Sequence, residues 1–209
     1  MGGPTGLTLA AIGLGVAYCA APGVVNTESV RRGLSHGFRP ALLVQLGALI
    51  GDLAWAALAL SGLAVLAQSA WLRLPLGFAG AFFLLRFAWG ALRTARSGSP
   101  EPATAAGRGA FATGAIFSLA NPVGLAFWAG VGGGVAGTGG DGSGAERYAA
   151  FLASFAVGAL VWCLGLSALV ACGRRFVAPA LFRWVDAASA VVLGWFGVRL
   201  LWNTVKDAR

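Results

Sequence analysis

Histidine occurs once in this chain, at His36, and cysteine three times, at Cys19, Cys163 and Cys172, with no CxxC pair. That pattern excludes a Cys/His zinc site of known spacing, and the cysteines read as small buried hydrophobes. A single histidine also leaves no nucleophile, base and orienting group to assemble, so enzymatic function is not expected. No metal and no cofactor are expected either. Charge is scarce: 11% of the residues are Asp, Glu, Lys or Arg, against about 25% in a soluble globular domain.

What the chain has instead is apolar length. It is 58% hydrophobic with 33 glycines and 8 tryptophans in 209 residues, and its mean hydropathy is +0.78. This is the composition of a polytopic membrane protein. At about 20 apolar residues per crossing, six segments emerge: Leu7 to about Val25, Pro40–Ala67, Trp71–Leu92, Phe111–Ala136, Tyr148–Cys172 and Phe182–Trp202. Lipid offers no partners for backbone polar groups, and no strand-period alternation competes, so the segments are expected to be helices. The expected fold is all-α, six transmembrane helices in one domain over residues 1–209. The longest connections, Ser97–Arg108 and Gly137–Glu146, are Gly/Ser/Pro-rich flexible links.

A formal charge of +8 would fit nucleic acid, but its placement points elsewhere. Arg31, Arg32, Arg39, Arg93, Arg96, Arg108, Arg174, Arg175 and Arg183 fall between segments one and two, three and four, and five and six, on one face of the membrane. The other face collects only Arg73, Arg147, Lys206 and Arg209. By the positive-inside rule the first set is cytoplasmic and both termini are outside, in a cell (inner) membrane. No charged region precedes Leu7 and Ala20-Ala21-Pro22 makes a poor signal cleavage site, so segment one is expected to be retained. The lipid bilayer is thus a partner and nucleic acid is not.

Two segments carry helix breakers. Segment one has Ala20-Ala21-Pro22-Gly23 and segment four has Leu119-Ala120-Asn121-Pro122. Proline removes an intrahelical hydrogen bond and clashes with the preceding turn, and an adjacent glycine frees the backbone to bend. Both helices should break near mid-membrane. They are the first helices of two three-helix halves, about 1–105 and about 106–209. An odd number of helices per half makes the second copy enter from the opposite face, an inverted repeat of the kind that places a substrate site at the midplane.

Within segment two, Asp52 lies about 18 Å along the helix from Pro40 at 1.5 Å per residue. A carboxylate at the centre of a membrane helix costs roughly 2.5–3.5 kcal/mol, so it is expected to face a cavity or a partner. Gln45 is seven residues before it and projects from the same face. Gly47 and Gly51 lie on a neighbouring strip and permit close helix packing. Glu28 has Arg31 and Arg32 at i+3 and i+4, the spacing of an interfacial pair. Arg86 either snorkels to the interface or serves as ion-pair partner of Asp52 or Glu28. Arg199, near Trp202, reads as an interfacial anchor.

Pro22-Gly23, Asn26, Arg32-Gly33, Gly47, Gly51-Asp52 and the later Asn121-Pro122 together resemble the LysE/RhtB family of bacterial amino-acid exporters, in order and spacing over nearly the whole chain. The resemblance implies an inner-membrane exporter of amino acids or related small metabolites driven by the proton gradient. Where the family usually reads Pro-Gly-Pro this chain has Pro22-Gly23-Val24, and Glu28 stands where members generally carry an apolar residue.

Alternating access of a small zwitterionic or amine-bearing metabolite is therefore expected. Pro22, Gly23, Asn26, Gln45, Asp52, Asn121 and Pro122 are the candidate substrate-binding residues, and Asp52 and Glu28 the candidates for proton coupling. A homo-oligomer is compatible with this reading. Two alternatives carry less weight. Metal or inorganic-ion export is one, disfavoured by the shortage of oxygen ligands. Transmembrane thiol–disulfide transfer is the other: Cys19 precedes Pro22, but no cysteine lies in the fourth segment and a disulfide needs two sulfurs within bonding reach.

Overall fold

The computed structural model describes residues 4–60, 70–97, 109–121, 124–125, 127–128, 130–131, 143–176 and 179–208. Among these residues there is no strand, and seven α-helices follow one another. They are α1 (Pro4–Ala20), α2 (Val24–His36), α3 (Phe38–Leu60), α4 (Ala70–Ser97), α5 (Ala110–Leu119), α6 (Ser143–Gly173) and α7 (Pro179–Asp207), with a single 3-10 turn, Arg174–Phe176, after α6.

Three helices are long and apolar enough to cross a membrane alone, over Phe38–Ala59, Glu146–Phe176 and Arg183–Asp207, and α1 with α2 makes a fourth if that bent pair is one span. The distribution of side chains agrees with a lipid surround. Trp184, Trp195 and Trp202 on α7 and Val161, Leu164 and Leu169 on α6 are exposed, while Glu28, Arg31, Arg32, Gln45, Asp52 and Asp186 are buried. A soluble fold would reverse that pattern.

The pair α1 and α2 is bent by 71° at Ala21–Gly23, where Pro22 cannot supply the amide hydrogen a continuous helix needs. The polypeptide leaves the helix again after Leu119, at Ala120 and Asn121, and helical residues resume at 124–125, 127–128 and 130–131. Pro122 lies outside the described residues. Several helix ends lie a few residues from the sequence reading, and one differs by far more: helix continues from Val24 to His36 instead of ending near Val25. Arg31 and Arg32 are therefore buried helix residues and not loop residues. Hydropathy ends the segment too early because the polar face of α2 is turned inward onto other helices.

Two close helix crossings organise the bundle. Along α3 and α5, a side chain at Gly47 would run into the Phe111 carbonyl, and one at Gly114 into the Val44 carbonyl. Along α1 and α6, one at Gly15 would meet the Phe155 carbonyl and one at Gly158 the Ile12 carbonyl. Only glycine permits such backbone approach. Around α1, α3 and α6 the core is Trp55, Trp128, Phe155 and Leu49 with Tyr18 packed against them; a second cluster joins Leu84, Ala88, Phe117 and Leu193. The space between the two clusters is the cavity.

Candidate functional site

Asn26 shapes the break. Its Nδ2 donates to the Cys19 carbonyl at 2.7 Å and to the Ala21 carbonyl at 2.9 Å, two acceptors that the interruption of the helix leaves without an intrahelical donor. Its Oδ1 accepts from Gln45 Nε2 at 2.8 Å and from Trp162 Nε1 at 3.3 Å. One amide thereby ties the end of α1, the start of α2, α3 and α6 together.

Asp52 sits on α3, two turns along the face from Gln45. Tyr18 donates its hydroxyl to Asp52 Oδ1 at 3.1 Å, and Ser118 donates to the same oxygen at 2.9 Å. Tyr18 is in the last turn of α1 and Ser118 in the last turn of α5, so each interrupted helix reaches the carboxylate with a hydroxyl just before it breaks. A Cβ at Gly124 would stand 3.0 Å from the Tyr18 hydroxyl, 3.7 Å from Asn121 Nδ2 and 3.7 Å from Asp52 Oδ1. The absence of a side chain there keeps the carboxylate and both neighbours close together.

These groups surround one cavity of about 390 Å³. Of the seven residues expected to bind substrate, Pro22, Gly23, Asn26, Gln45, Asp52 and Asn121 all line it; Pro122 lies outside the described residues. Much of the remaining wall is apolar, with Leu84, Phe117, Phe196 and Leu200. Asp52 is the carboxylate on this wall and Arg199 the cation. Arg199 had been expected only as an interfacial anchor.

Other expected residues lie elsewhere. Glu28 is fully buried, away from the cavity wall, and held by Arg31 and Arg32. Arg86 is exposed on α4. The ion-pair role open to it is taken by Arg31 and Arg32 at Glu28, while Asp52 is held by neutral hydroxyls. An exposed guanidinium on a lipid-facing helix is placed to snorkel to the interface. Cys19 and Cys163 both line the cavity and are free thiols, with Cys163 Sγ 3.9 Å from Gln45 Oε1. The second thiol at the cavity comes from α6, the fourth segment having no cysteine. Among the described residues no group of three or more His, Cys, Asp or Glu is arranged to hold a metal ion.

Sequence reasoning missed Tyr18 and Ser118. A lone hydroxyl in an apolar helix carries no spacing signal, but both lie within four residues of a breaker, and that position was the available clue.

An apolar exterior around a cavity that holds a buried carboxylate, bounded by interrupted helices, defines a multi-pass membrane transporter. The family model described as "LysE type translocator" matches residues 16–204, and the chain belongs to that family. Among curated proteins, "Chemotactic transduction protein ChpE" of Pseudomonas aeruginosa is 43% identical over 169 residues, 80% of this chain and 83% of that protein. "Putative amino acid efflux protein YcgF" of Bacillus subtilis is 24% identical over 205 residues, 95% of this chain and 97% of that protein. No solved structure matches the chain.

Proposed function

We propose that this protein exports an amino acid or a related amine-bearing metabolite across the inner membrane by proton-coupled alternating access. The observation that carries the reading is the convergence of Pro22, Gly23, Asn26, Gln45, Asp52 and Asn121 on one cavity, since these residues come from both halves of the chain. Support for two inverted three-helix repeats comes from the glycine crossings. Exchanging the halves swaps the α1–α6 contact, Gly15 with Gly158, for the α5–α3 contact, Gly114 with Gly47. The full account has six crossings, both termini outside and the arginine-rich end in the cytoplasm, where Arg39, Arg93, Arg96, Arg174, Arg175 and Arg183 are exposed.

In this mechanism Asp52 takes the ammonium group or a proton, on the oxygen that neither Tyr18 nor Ser118 engages. The first turn of α2, opening at Gly23, presents unpaired N–H groups and the positive end of a helix dipole to the substrate's anionic group. Asn121 supplies an amide hydrogen bond. Asn26 holds the break in shape, and Glu28 joins in proton coupling through the charge cluster it anchors. Exchange of a proton against the ammonium at Asp52 would drive export.

The test is efflux from loaded cells across a panel of amino acids and amines, parent against Asp52→Asn. Loss of efflux with normal membrane expression is expected, and retained proton-coupled efflux of the same substrate refutes the assignment. A second reading, a role in chemotactic transduction, rests on the 43% identity to ChpE. It is favoured instead if a deletion strain has a chemotaxis defect that Asp52→Asn rescues fully.

A further inference from the structure

Four charged side chains are buried beside the cavity without lining it. Glu28, Arg31, Arg32 and Asp186 are 0%, 7%, 5% and 4% exposed. Within α2 the bonds are short: Arg31 Nε and Nη2 donate to Glu28 Oε2 and Oε1 at 2.7 and 2.8 Å, and Arg32 Nε donates to Oε1 at 2.6 Å. Two bonds that carry the cluster across to other helices are longer. Arg31 Nη1 reaches Asp186 Oδ1 on α7 at 3.3 Å, and Arg32 Nη2 reaches Thr113 Oγ1 on α5 at 3.4 Å.

On four of the helices that line the cavity, α2, α3, α5 and α7, the cluster and its contacts lie to the same side of the lining residues. On α2 the cavity is lined at Asn26 and the cluster begins at Glu28; on α5 the lining residues are Phe117 and Ser118 and the cluster residue is Thr113. On α7 the lining begins at Phe196 and the cluster residue is Asp186, and on α3 Gln45 lines while Ala41, one turn earlier, accepts a hydrogen bond from the buried Ser29 at 3.1 Å. In each case the cluster lies toward the end where α2 and α6 finish and α3, α5 and α7 begin. Arg174 Nη2, bonded to the Ser35 carbonyl, and Arg183 Nε, bonded to the Ala95 carbonyl, tie that same end together. It is the arginine-rich end.

We propose that Glu28, Arg31, Arg32, Asp186 and Thr113 form the gate that closes the cavity toward the arginine-rich face, and that it opens along the seam between α2 and the α5 and α7 helices. The inference rests on the alternating-access reading. The short bonds keep Glu28 with its two arginines, so α2 moves as one body carrying a surplus positive charge. The two long bonds are the ones that part. Parting strands Asp186 as an unpaired carboxylate, which a dry interior does not tolerate, so opening must admit water and the gate cannot loosen while that end stays dry. The substrate enters where the water does.

The cavity thiol Cys19 reports on this without any substrate. In a Cys163→Ser, Cys172→Ser background, a membrane-impermeant thiol reagent is applied separately to right-side-out and inside-out vesicles, and Arg175→Cys in a sister protein marks the arginine-rich face. Asp186→Asn should speed labelling of Cys19 from that face about tenfold, equivalent to about 1.4 kcal/mol in the gate equilibrium, and leave labelling from the other face unchanged or slower. Thr113→Val, which removes the second seam bond together with the hydroxyl's own bond to the Gly109 carbonyl at the start of α5, should act in the same direction and keeps the test open if Asp186→Asn fails to fold. Unchanged labelling from the marked face, in either variant that purifies as a folded, monodisperse protein, overturns the gate. That failure would leave the transport reading standing, because efflux and its loss in Asp52→Asn are measured separately.

Discussion

Replacing Asn26 with alanine removes four hydrogen bonds at the break: to the Cys19 and Ala21 carbonyls and from Gln45 and Trp162. Side-chain hydrogen bonds between membrane helices average about 0.6 kcal/mol each, so the loss is about 2.4 kcal/mol. For a protein of this size each kcal/mol shifts Tm by about 2–4 °C. The detergent-solubilised Asn26→Ala protein should therefore melt about 5–10 °C below the parent, followed by the fluorescence of its tryptophans, with Trp162 itself losing a partner. Asn26→Asp sharpens the test. It keeps the acceptor for Gln45 and Trp162 but turns oxygen toward two carbonyl oxygens, so it should be at least as destabilised as the alanine variant in spite of its shape. A melting point for Asn26→Ala within 1 °C of the parent, or a near-normal Asn26→Asp, would refute the view that this amide holds the interrupted helix together.

Gly124→Ala should leave Tm nearly unchanged but raise the KM for efflux several-fold, because its methyl stands 3.0 Å from the Tyr18 hydroxyl and crowds Asp52; transport titrated against substrate reads this. Gly114→Ala should lower Tm by several degrees, since the added carbon collides with the Val44 carbonyl, whereas Gly90→Ala, with nothing within 4 Å, should be neutral or slightly stabilising in the same melt. Tyr148→Phe loses the 2.7 Å bond from its buried hydroxyl to the Ala56 carbonyl, and about 1 kcal/mol is the expected cost, read as a fall of about 2–4 °C. Arg86→Gln should retain efflux and stability, its guanidinium being exposed on α4; loss of transport would restore it to the pathway.

The parts of this architecture legible in the sequence are those with a periodic or a breaking signal. The Pro22-Gly23 interruption announces itself because proline lacks a donor, and Gln45 and Asp52 share a wall because seven residues return to the same helix face. The paired breaks also say which helices approach the cavity. The reach of α2 was hidden: Asn26 to His36 reads as a polar connection, and only the tertiary contacts with α5 and α7 make a buried helix of it. Glu28 with Arg31 and Arg32 had the spacing of a pair, but burial turns a surface contact into an internal structure. Arg199 was placed by its neighbour Trp202 and not by the cavity that α7 borders, since no local pattern tells which side of a lipid-facing helix meets a space formed by other segments.

Occupancy of the cavity is the measurement that bears most directly on the account. With a substrate identified by efflux, saturating amounts should slow the alkylation of Cys19, which lines the cavity next to Tyr18, in the parent and not in the Asp52→Asn protein. Alkylation that proceeds at one rate with and without an exported substrate would mean that the substrate passes somewhere else.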